Sequence, residues 1–258
     1  MNYTTIRYSN RDGVGVITFN RADQMNAMNT QMRAEIAHAV KAAEEDARAL
    51  VLTGKGLAFC AGQDLGDRAS PTDLNLERTL RDEYMPMLNA IYNCRIPTIA
   101  AVNGAAAGAG ANLALAADVV IASESAYFMQ AFSRIGLIPD AGGTYWMPRQ
   151  MGFAKAMGAA LFADKISARQ AADWGMIWDW VADETFADHW WQRAKYLADG
   201  PSQAFRAAKK AIRSTYDNDL QSQLELEGKL QGKCGNTRDF VEGVTAFMEK
   251  RPAKFEGR

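Results

Sequence analysis

Short apolar runs rich in β-branched residues alternate with longer amphipathic segments over the first half of the chain. Residues 4–9 and 14–20 are partly alternating runs separated by Asn-Arg-Asp-Gly, which predicts a β-hairpin with a glycine turn. Residues 29–46 place apolar side chains on one helical face, and Asn29 or Thr30 can supply the N-cap oxygen. The chain therefore begins with a hairpin followed by a helix.

The alternation of strands and helices continues as far as about residue 122. In chain order the pattern predicts a strand at 49–53, a glycine-bearing loop at 54–67, a helix at 71–93, a strand at 98–102, a Gly/Ala-rich turn, a helix at 110–117 and a strand at 119–122. Strands that alternate with helices are typical of an α/β core.

After about residue 164 the pattern becomes helical. Apolar side chains recur at helical spacing in residues 167–174, 185–199, 201–216, 220–233 and 238–250. We therefore predict a core at residues 1–195 and a helical C-terminal region at residues 196–258. One face of that region is too apolar for solvent and predicts self-association through Leu220, Leu224, Leu230, Phe240, Val244 and Phe247.

Composition and charge narrow the class of protein. The chain has 258 residues, 48% of them hydrophobic, which is enough for one sizeable core. A formal net charge of -1 gives no electrostatic reason to expect nucleic acid or an anionic membrane surface as a partner. Residues 96–117 are uncharged over the length of a membrane span, but Pro97, Asn103 and Asn112 interrupt them, which favours a buried strand, turn and helix.

The cysteines indicate the compartment. Cys60, Cys94 and Cys234 are an odd number without C-x-x-C spacing, so we expect reduced thiols and neither a disulfide framework nor a metal site. The N-terminus lacks a basic segment followed by an apolar run, so no signal peptide is expected. Both observations predict a cytoplasmic protein.

Three segments carry candidate chemistry. Small residues in 58–65 follow a predicted strand and allow backbone N–H groups to approach a ligand. The glycines in 102–113 end at a predicted helix N-terminus, which favours negative charge, but position 113 is Leu, so a dinucleotide fingerprint is excluded. In the third segment Asp140 lies among apolar residues, where it is either a helix N-cap or a general base with a raised pKa.

In their order and spacing these three segments resemble the crotonase (enoyl-CoA hydratase/isomerase) family. The resemblance covers nearly the whole chain, from Phe19-Asn20-Arg21 and Asn26-Ala27 to the Glu-Gly-Val-Thr-Ala-Phe run at 242–247. It implies an α/β fold built as a spiral of ββα units, with a helical C-terminal trimerisation region. It also implies an acyl-CoA substrate, with no separate cofactor because coenzyme A is part of the substrate. The expected assembly is a homotrimer or a dimer of trimers.

The resemblance also assigns expected roles to single residues. It implies that the backbone N–H groups of Gln63 and Ala109 bind the thioester oxygen as it becomes an enolate, while Asp140 moves the proton. Substrate and coenzyme A contacts are expected from Ala61, Gln63, Asp64, Leu65, Ala109, Asn112 and Phe132, and from Phe247 and Lys250 of a neighbouring subunit. Asn112 has a second interpretation, in which it only caps and packs.

Two departures from the family pattern bear on the reaction. Hydratases of the family carry Glu at the positions of Asn112 and Phe132, so hydration is not expected here, and Asp140 remains as in a subset of isomerases.

The segments 63–68, 131–140 and 174–178 resemble those family members that convert an epoxidised phenylacetyl-CoA ring to a seven-membered oxepin in phenylacetate catabolism, for which Phe132 would present a flat face. The alternatives are a Δ3,Δ2-enoyl-CoA isomerase or hydratase on linear chains, and a non-catalytic acyl-CoA-binding subunit.

Overall fold

The computed structural model describes residues 2–66 and 75–258. Within this part the strands are β1 (Ile6–Arg11), β2 (Val14–Phe19), β3 (Ala49–Gly54), β4 (Ala58–Cys60), β5 (Thr98–Val102), β6 (Ala105–Ala107), β7 (Val119–Ser123), β8 (Tyr127–Met129), β9 (Ile166–Ser167) and β10 (Asp179–Val181). The α-helices are α1 (Thr30–Asp46), α2 (Leu76–Thr79), α3 (Met85–Tyr92), α4 (Ala109–Leu115), α5 (Gly143–Phe162), α6 (Ala168–Asp173), α7 (Phe186–Asp199), α8 (Ser202–Ser214), α9 (Leu220–Gly235) and α10 (Arg238–Glu249).

The strands form two sheets. The larger has six strands in the order β1-β2-β3-β5-β7-β10, and the smaller has four in the order β4-β6-β8-β9. All pairs are parallel except β1 with β2 and β8 with β9. Each of β3, β5 and β7 is followed by a short strand of the second sheet and then by helical structure, which is the predicted spiral of ββα units.

The predicted hairpin and first helix are confirmed, with shifted bounds. Asp12 and Gly13 have φ values of 53° and 79°, so a two-residue turn joins β1 to β2. Asn29 is the N-cap of α1, because its side chain accepts a hydrogen bond from the backbone N–H of Met32. The strand predicted at 4–9 instead runs from Ile6 to Arg11.

The short strands of the second sheet were not predicted. The loop expected at 54–67 contains β4, and the turn expected before α4 contains β6. Each has three residues, and β6 is Ala-Ala-Ala, so neither period-2 alternation nor β-propensity can indicate them.

The helix expected at 71–93 starts outside the described residues and is seen as α2, a π-helical turn at Leu80–Tyr84, and α3. Residues 96–117 form β5, β6 and α4, and no described helix has both the length and the apolar character to cross a bilayer.

The core lies on both faces of the larger sheet. Leu50 and Leu52 point into the main cluster beneath α1, while Val51 points to the opposite face against α7. This alternation is the expected consequence of the two-residue period of a strand. The predicted boundary at residue 196 falls within α7, which ends at Asp199. Beyond it, α8 is held against the core because Asp118 pairs with two of its cations, Lys209 and Arg213, at 2.6 Å.

Candidate active site

Three functional segments meet because three parallel strands end side by side. Strand β6 pairs in parallel with β4 on one side and with β8 on the other. The carboxyl ends of parallel strands lie at the same edge of a sheet, so the segments that follow them become neighbours. The loop at 61–66, the start of α4 and the segment at 130–135, which leads into the predicted Asp140 segment, are therefore brought together.

Glycines allow the first two segments to approach at backbone distance. A Cβ built on Gly62 would lie 2.9 Å from the carbonyl oxygen of Ala107 and 3.5 Å from the backbone nitrogen of Ala109. A Cβ built on Gly110 would lie 2.2 Å from the carbonyl oxygen of Cys60. A side chain at Gly110 would thus push α4 away from β4, and with it the first N–H groups of that helix.

Gln63 and Ala109, whose N–H groups are the expected oxyanion donors, lie on the two segments that meet at Gly62. Gln63 forms a parallel bridge with Met28, in which Met28 donates to Gly62 and Asp64 donates to Met28. In such a bridge the N–H of the middle residue points to the opposite side. Ala109 is the first residue of α4, so its N–H has no acceptor within the helix.

Asp140 lies in the loop before α5 and is not its N-cap. The helix begins at Gly143, and Gly142 is the N-cap residue. The Oδ1 atom of Asp140 is buried and has no hydrogen-bond partner among the described residues. Burial raises the pKa of this carboxyl from 3.8 to about 6. A carboxylate with that pKa is ionised at neutral pH and is a much stronger base than an exposed aspartate.

Asn112 fixes the backbone that carries Asp140. It is fully buried, and its Nδ2 donates to the carbonyl oxygen of Asp140 at 2.7 Å. Its Oδ1 accepts from Nε2 of Gln130, which is equally buried, at 2.9 Å. A Cβ on Gly143 would lie 2.4 Å from Asn112 Nδ2, so the fit is tight. Of the two interpretations of Asn112, the geometry favours packing and positioning over substrate contact.

Replacing Asn112 with Ala should therefore affect both stability and turnover. It leaves the amide of Gln130 without its partner, which should lower the free energy of unfolding by about 1–3 kcal/mol. It also loosens the loop of Asp140, which should lower kcat by about tenfold. Urea unfolding and steady-state kinetics measure the two effects. Asn218→Ala, which removes a half-buried amide bonded to Gln223 far from Asp140 in sequence, is the matched control. Unchanged kcat in Asn112→Ala would rule out the positioning role.

Asp140 opens on a cavity of about 820 Å³ between α3 and the start of α5. Its described lining is mainly apolar or aromatic and consists of Leu76, Glu77, Leu80, Tyr84, Met85, Leu88, Asn89, Tyr92, Leu137, Ile138, Pro139, Asp140, Ala141, Gly142, Tyr145 and Trp146. The side chain of Glu77, the other carboxylate of this lining, is 89% exposed and pairs with Arg81. Phe132 is outside this lining and buried, with its ring against Gly108.

An ion pair that the sequence did not reveal holds the loop at 61–66. Oδ2 of Asp64 accepts from Arg21 at 2.8 Å, and its Oδ1 accepts from the backbone N–H of Gly66 at 3.0 Å. The neighbouring Ala61 and Leu65 are exposed. The signal for Arg21 was its place in the family motif after Phe19 and Asn20, but its partner is 43 positions away. Asp64 therefore stabilises the loop on which Gln63 lies.

The first segment also contains a thiol, and the remaining predicted residues are two side chains at the end of α10. Cys60 is fully buried, and burial raises its pKa to about 12, so it is a packing residue and not a nucleophile. Phe247 is 85% exposed near the end of α10. Lys250, the C-cap residue of that helix, is also exposed. Both were expected to contact a neighbouring subunit. Their exposure in the single chain is compatible with that expectation.

The ββα spiral and the segments that it brings together beside the cavity define an acyl-CoA enzyme of the crotonase type. The chain belongs to the enoyl-CoA hydratase/isomerase family, whose sequence model matches residues 9–258. The family and fold predicted from the sequence are thereby confirmed.

Similar proteins carry names of both reaction types. A probable enoyl-CoA hydratase of Rhodobacter capsulatus is 60% identical over 258 residues, covering 100% of both chains. The 1,2-epoxyphenylacetyl-CoA isomerase of Escherichia coli is 47% identical over 251 residues, covering 95% of this chain and 96% of that one. Among solved structures, an enoyl-CoA hydratase from Bacillus anthracis superposes with a TM-score of 0.92 at 31% identity, covering 99% of this chain and 100% of that one.

Proposed function

We propose that this enzyme is an isomerase that converts ring-1,2-epoxyphenylacetyl-CoA to oxepin-CoA in aerobic phenylacetate degradation. The observation that carries the proposal is that Asp140 is the only carboxylate in the described lining of the cavity with a buried, unpaired oxygen. Asn112 and Phe132 stand where hydratases carry Glu. The 47% identity to the 1,2-epoxyphenylacetyl-CoA isomerase of Escherichia coli supports the choice of substrate.

The reaction follows from one carboxylate and two fixed donors. Asp140 takes a proton from the α-carbon of the thioester, and the charge moves to the thioester oxygen, where the N–H groups of Gln63 and Ala109 stabilise it. The carbon–carbon bond of the epoxide breaks as the ring expands to seven members. The protonated carboxyl of Asp140 then returns its proton to a ring carbon. No atom is gained or lost, so substrate and product are isomers.

Kinetics with two thioesters test this proposal against its alternatives. The name of the Rhodobacter capsulatus relative favours hydration of a linear enoyl-CoA, and a Δ3,Δ2 isomerase would also act on linear chains. We expect kcat/KM for the ring-epoxide thioester to exceed that for linear 2-enoyl and 3-enoyl thioesters of equal carbon number. A preference for a linear substrate would overturn the proposed function. Binding without turnover of any of them would indicate a non-catalytic acyl-CoA-binding subunit.

Coenzyme A binding and assembly complete the proposal. We expect the loop at 60–65 to hold the coenzyme A portion of the substrate, with no separate cofactor, in a cytoplasmic homotrimer or dimer of trimers. The apolar side chains on α9 and α10 support self-association, since Leu220 and Phe247 are 75% and 85% exposed in the single chain. Light scattering at micromolar concentration should give a trimeric or hexameric mass, and a monomeric mass would contradict the assembly.

Reversing the charge of Lys250 should weaken binding across the subunit interface. If Lys250 approaches the phosphates of coenzyme A bound to a neighbour, Lys250→Glu should raise the Kd for acetyl-CoA by about tenfold, which corresponds to about 1.4 kcal/mol. Isothermal titration calorimetry measures the Kd, and light scattering verifies that the oligomer is intact. Lys229→Glu, an exposed lysine on α9, is the control and should bind normally. Equal affinity in Lys250→Glu would remove the cross-subunit contact.

A further inference from the structure

Tyr84 ends an unusual turn in the wall of the acyl cavity. Residues Leu80–Tyr84 form a π-helical turn between α2 and α3. Such turns are rare and frequently occur at functional sites, because the extra residue changes the direction of the side chains around it. Tyr84 belongs to the lining of the cavity into which Asp140 opens. The local backbone thus places a phenol beside the proposed base.

The hydroxyl of Tyr84 is buried, and no acceptor among the described residues takes its proton. Only 1% of the residue is exposed, and its oxygen makes no hydrogen bond of normal length among the described residues. Leaving a buried hydroxyl unpaired is costly, so a protein normally retains one only where something else satisfies it. Burial is the main reason that the pKa of Tyr84 is raised; Arg33 opposes the increase through its charge and as a nearby hydrogen-bond donor, whereas Cys60 and Asp140 add to it. A guanidinium can only donate, so the phenol proton is left for another acceptor. The phenol therefore stays protonated and can donate.

The rest of the cavity wall makes this donor selective. Most of the lining consists of apolar or aromatic side chains, and the indole Nε1 of Trp146 is a second buried donor without a partner. An acyl group made only of carbon and hydrogen would fill such a cavity and leave both donors unpaired. An acyl group with an oxygen in its ring can accept a hydrogen bond and remove that penalty.

We propose that Tyr84 donates a hydrogen bond to the ring oxygen of the bound acyl group and thereby selects oxygen-bearing rings over all-carbon groups. This inference rests on the proposed epoxide-isomerase function and adds a specificity-determining residue to it. Asp140 handles the proton at the α-carbon, while Tyr84 recognises the oxygen that distinguishes this substrate from a simple aryl or alkyl thioester.

Binding of two isosteric thioesters to Tyr84→Phe tests the proposal. The probes are the oxepin product thioester and its carbocyclic isostere, in which a CH2 group replaces the ring oxygen. Wild type should bind the oxepin about tenfold more tightly, the size expected of one buried hydrogen bond, and Tyr84→Phe should lose that preference. Tyr92→Phe removes a hydroxyl from the same wall and should keep it.

Each other outcome overturns the inference. A wild-type enzyme without preference for the oxepin, or a Tyr84→Phe enzyme that retains it, would show that the hydroxyl does not recognise the ring oxygen. A marked loss of thermal stability in Tyr84→Phe would show that the hydroxyl serves the fold, since a hydroxyl whose proton has no protein acceptor should cost little to remove. Failure of the proposed function is detected by a separate measurement, because wild type would then not turn over the ring-epoxide thioester at all.

Discussion

Replacing Asp140 with Asn should lower turnover of the ring-epoxide thioester by at least about a hundredfold and leave acyl-CoA binding intact. Asn has the shape of Asp, and the hydrogen bonds at this position come to the backbone carbonyl of Asp140 from Asn112 and Gly143, so the loop should be preserved. Steady-state kinetics and calorimetry with the substrate thioester measure the two properties. Wild-type kcat should rise as pH passes about 6 and then level off, because the base must be ionised.

The control for this variant is the other carboxylate in the described part of the cavity lining. Glu77→Gln should retain turnover, since the side chain of Glu77 is 89% exposed and already pairs with Arg81. If Glu77→Gln lost activity and Asp140→Asn kept it, the base would be Glu77 and not Asp140. Wild-type turnover in a correctly folded Asp140→Asn protein would by itself refute the single-carboxylate mechanism.

The same variant should be more stable than wild type at neutral pH. The unfolded chain releases the Asp140 proton near pH 3.8 and the folded protein near pH 6, so the folded state holds more protons between these values. Wild type therefore loses stability as pH rises through this window, by up to roughly 3 kcal/mol, whereas Asn has no proton to release. Urea unfolding should show a more stable variant at pH 7 and nearly equal stabilities at pH 3. Equal stabilities at both would contradict the raised pKa.

Replacing Ala109 with Pro should lower kcat by about a hundred- to a thousandfold, the cost of losing one oxyanion donor. Proline is tolerated at the first position of a helix, where the missing N–H has no helical acceptor. The substitution thus removes the proposed donor with little expected change in α4. Kinetics measure the loss, and circular dichroism reports on the helix content.

Ala109→Gly is the matched variant, because it changes the same side chain and keeps the N–H group. We expect it to stay within about tenfold of wild-type kcat, since a glycine near a helix start costs only about 1 kcal/mol of stability. Equal turnover by the Pro and Gly variants would show that the Ala109 N–H does not stabilise the transition state. A fall in both by the same large factor would instead indicate that packing of the side chain at 109 matters.

The sequence predicted most of the helices and strands whose apolar residues form a clear run or a clear periodic pattern. Strands β3, β5 and β7 are continuous apolar runs, and α1 and the C-terminal helices have amphipathic faces, so their positions are close to those expected. Strands β4, β6 and β8 are only three residues long, and pairing with one another specifies them more than local preference does. Helix α5 was not predicted, because Pro148 and a non-helical Gly152 interrupt its pattern.

For the candidate site as well, the sequence predicted the local features and not the contacts between distant residues. The apolar surroundings of Asp140 and the glycines near the predicted N–H donors are local features, and the sequence indicated them. The contact between Asn112 and Gln130 joins residues 18 positions apart, and that between Arg21 and Asp64 joins residues 43 apart, so neither has a local signal. The buried hydroxyl of Tyr84 depends on a π-helical turn that no apolar period predicts.

The mass of the product formed from the ring-epoxide thioester tests the central claim most directly. Mass spectrometry of the reaction with purified wild-type enzyme should show a new species that separates from the substrate on chromatography and has the same mass. The same incubation with Asp140→Asn should leave the substrate unchanged over the same time. A product heavier by one water molecule, or a product of unchanged mass that forms equally fast with Asp140→Asn, would contradict isomerisation by a single buried carboxylate.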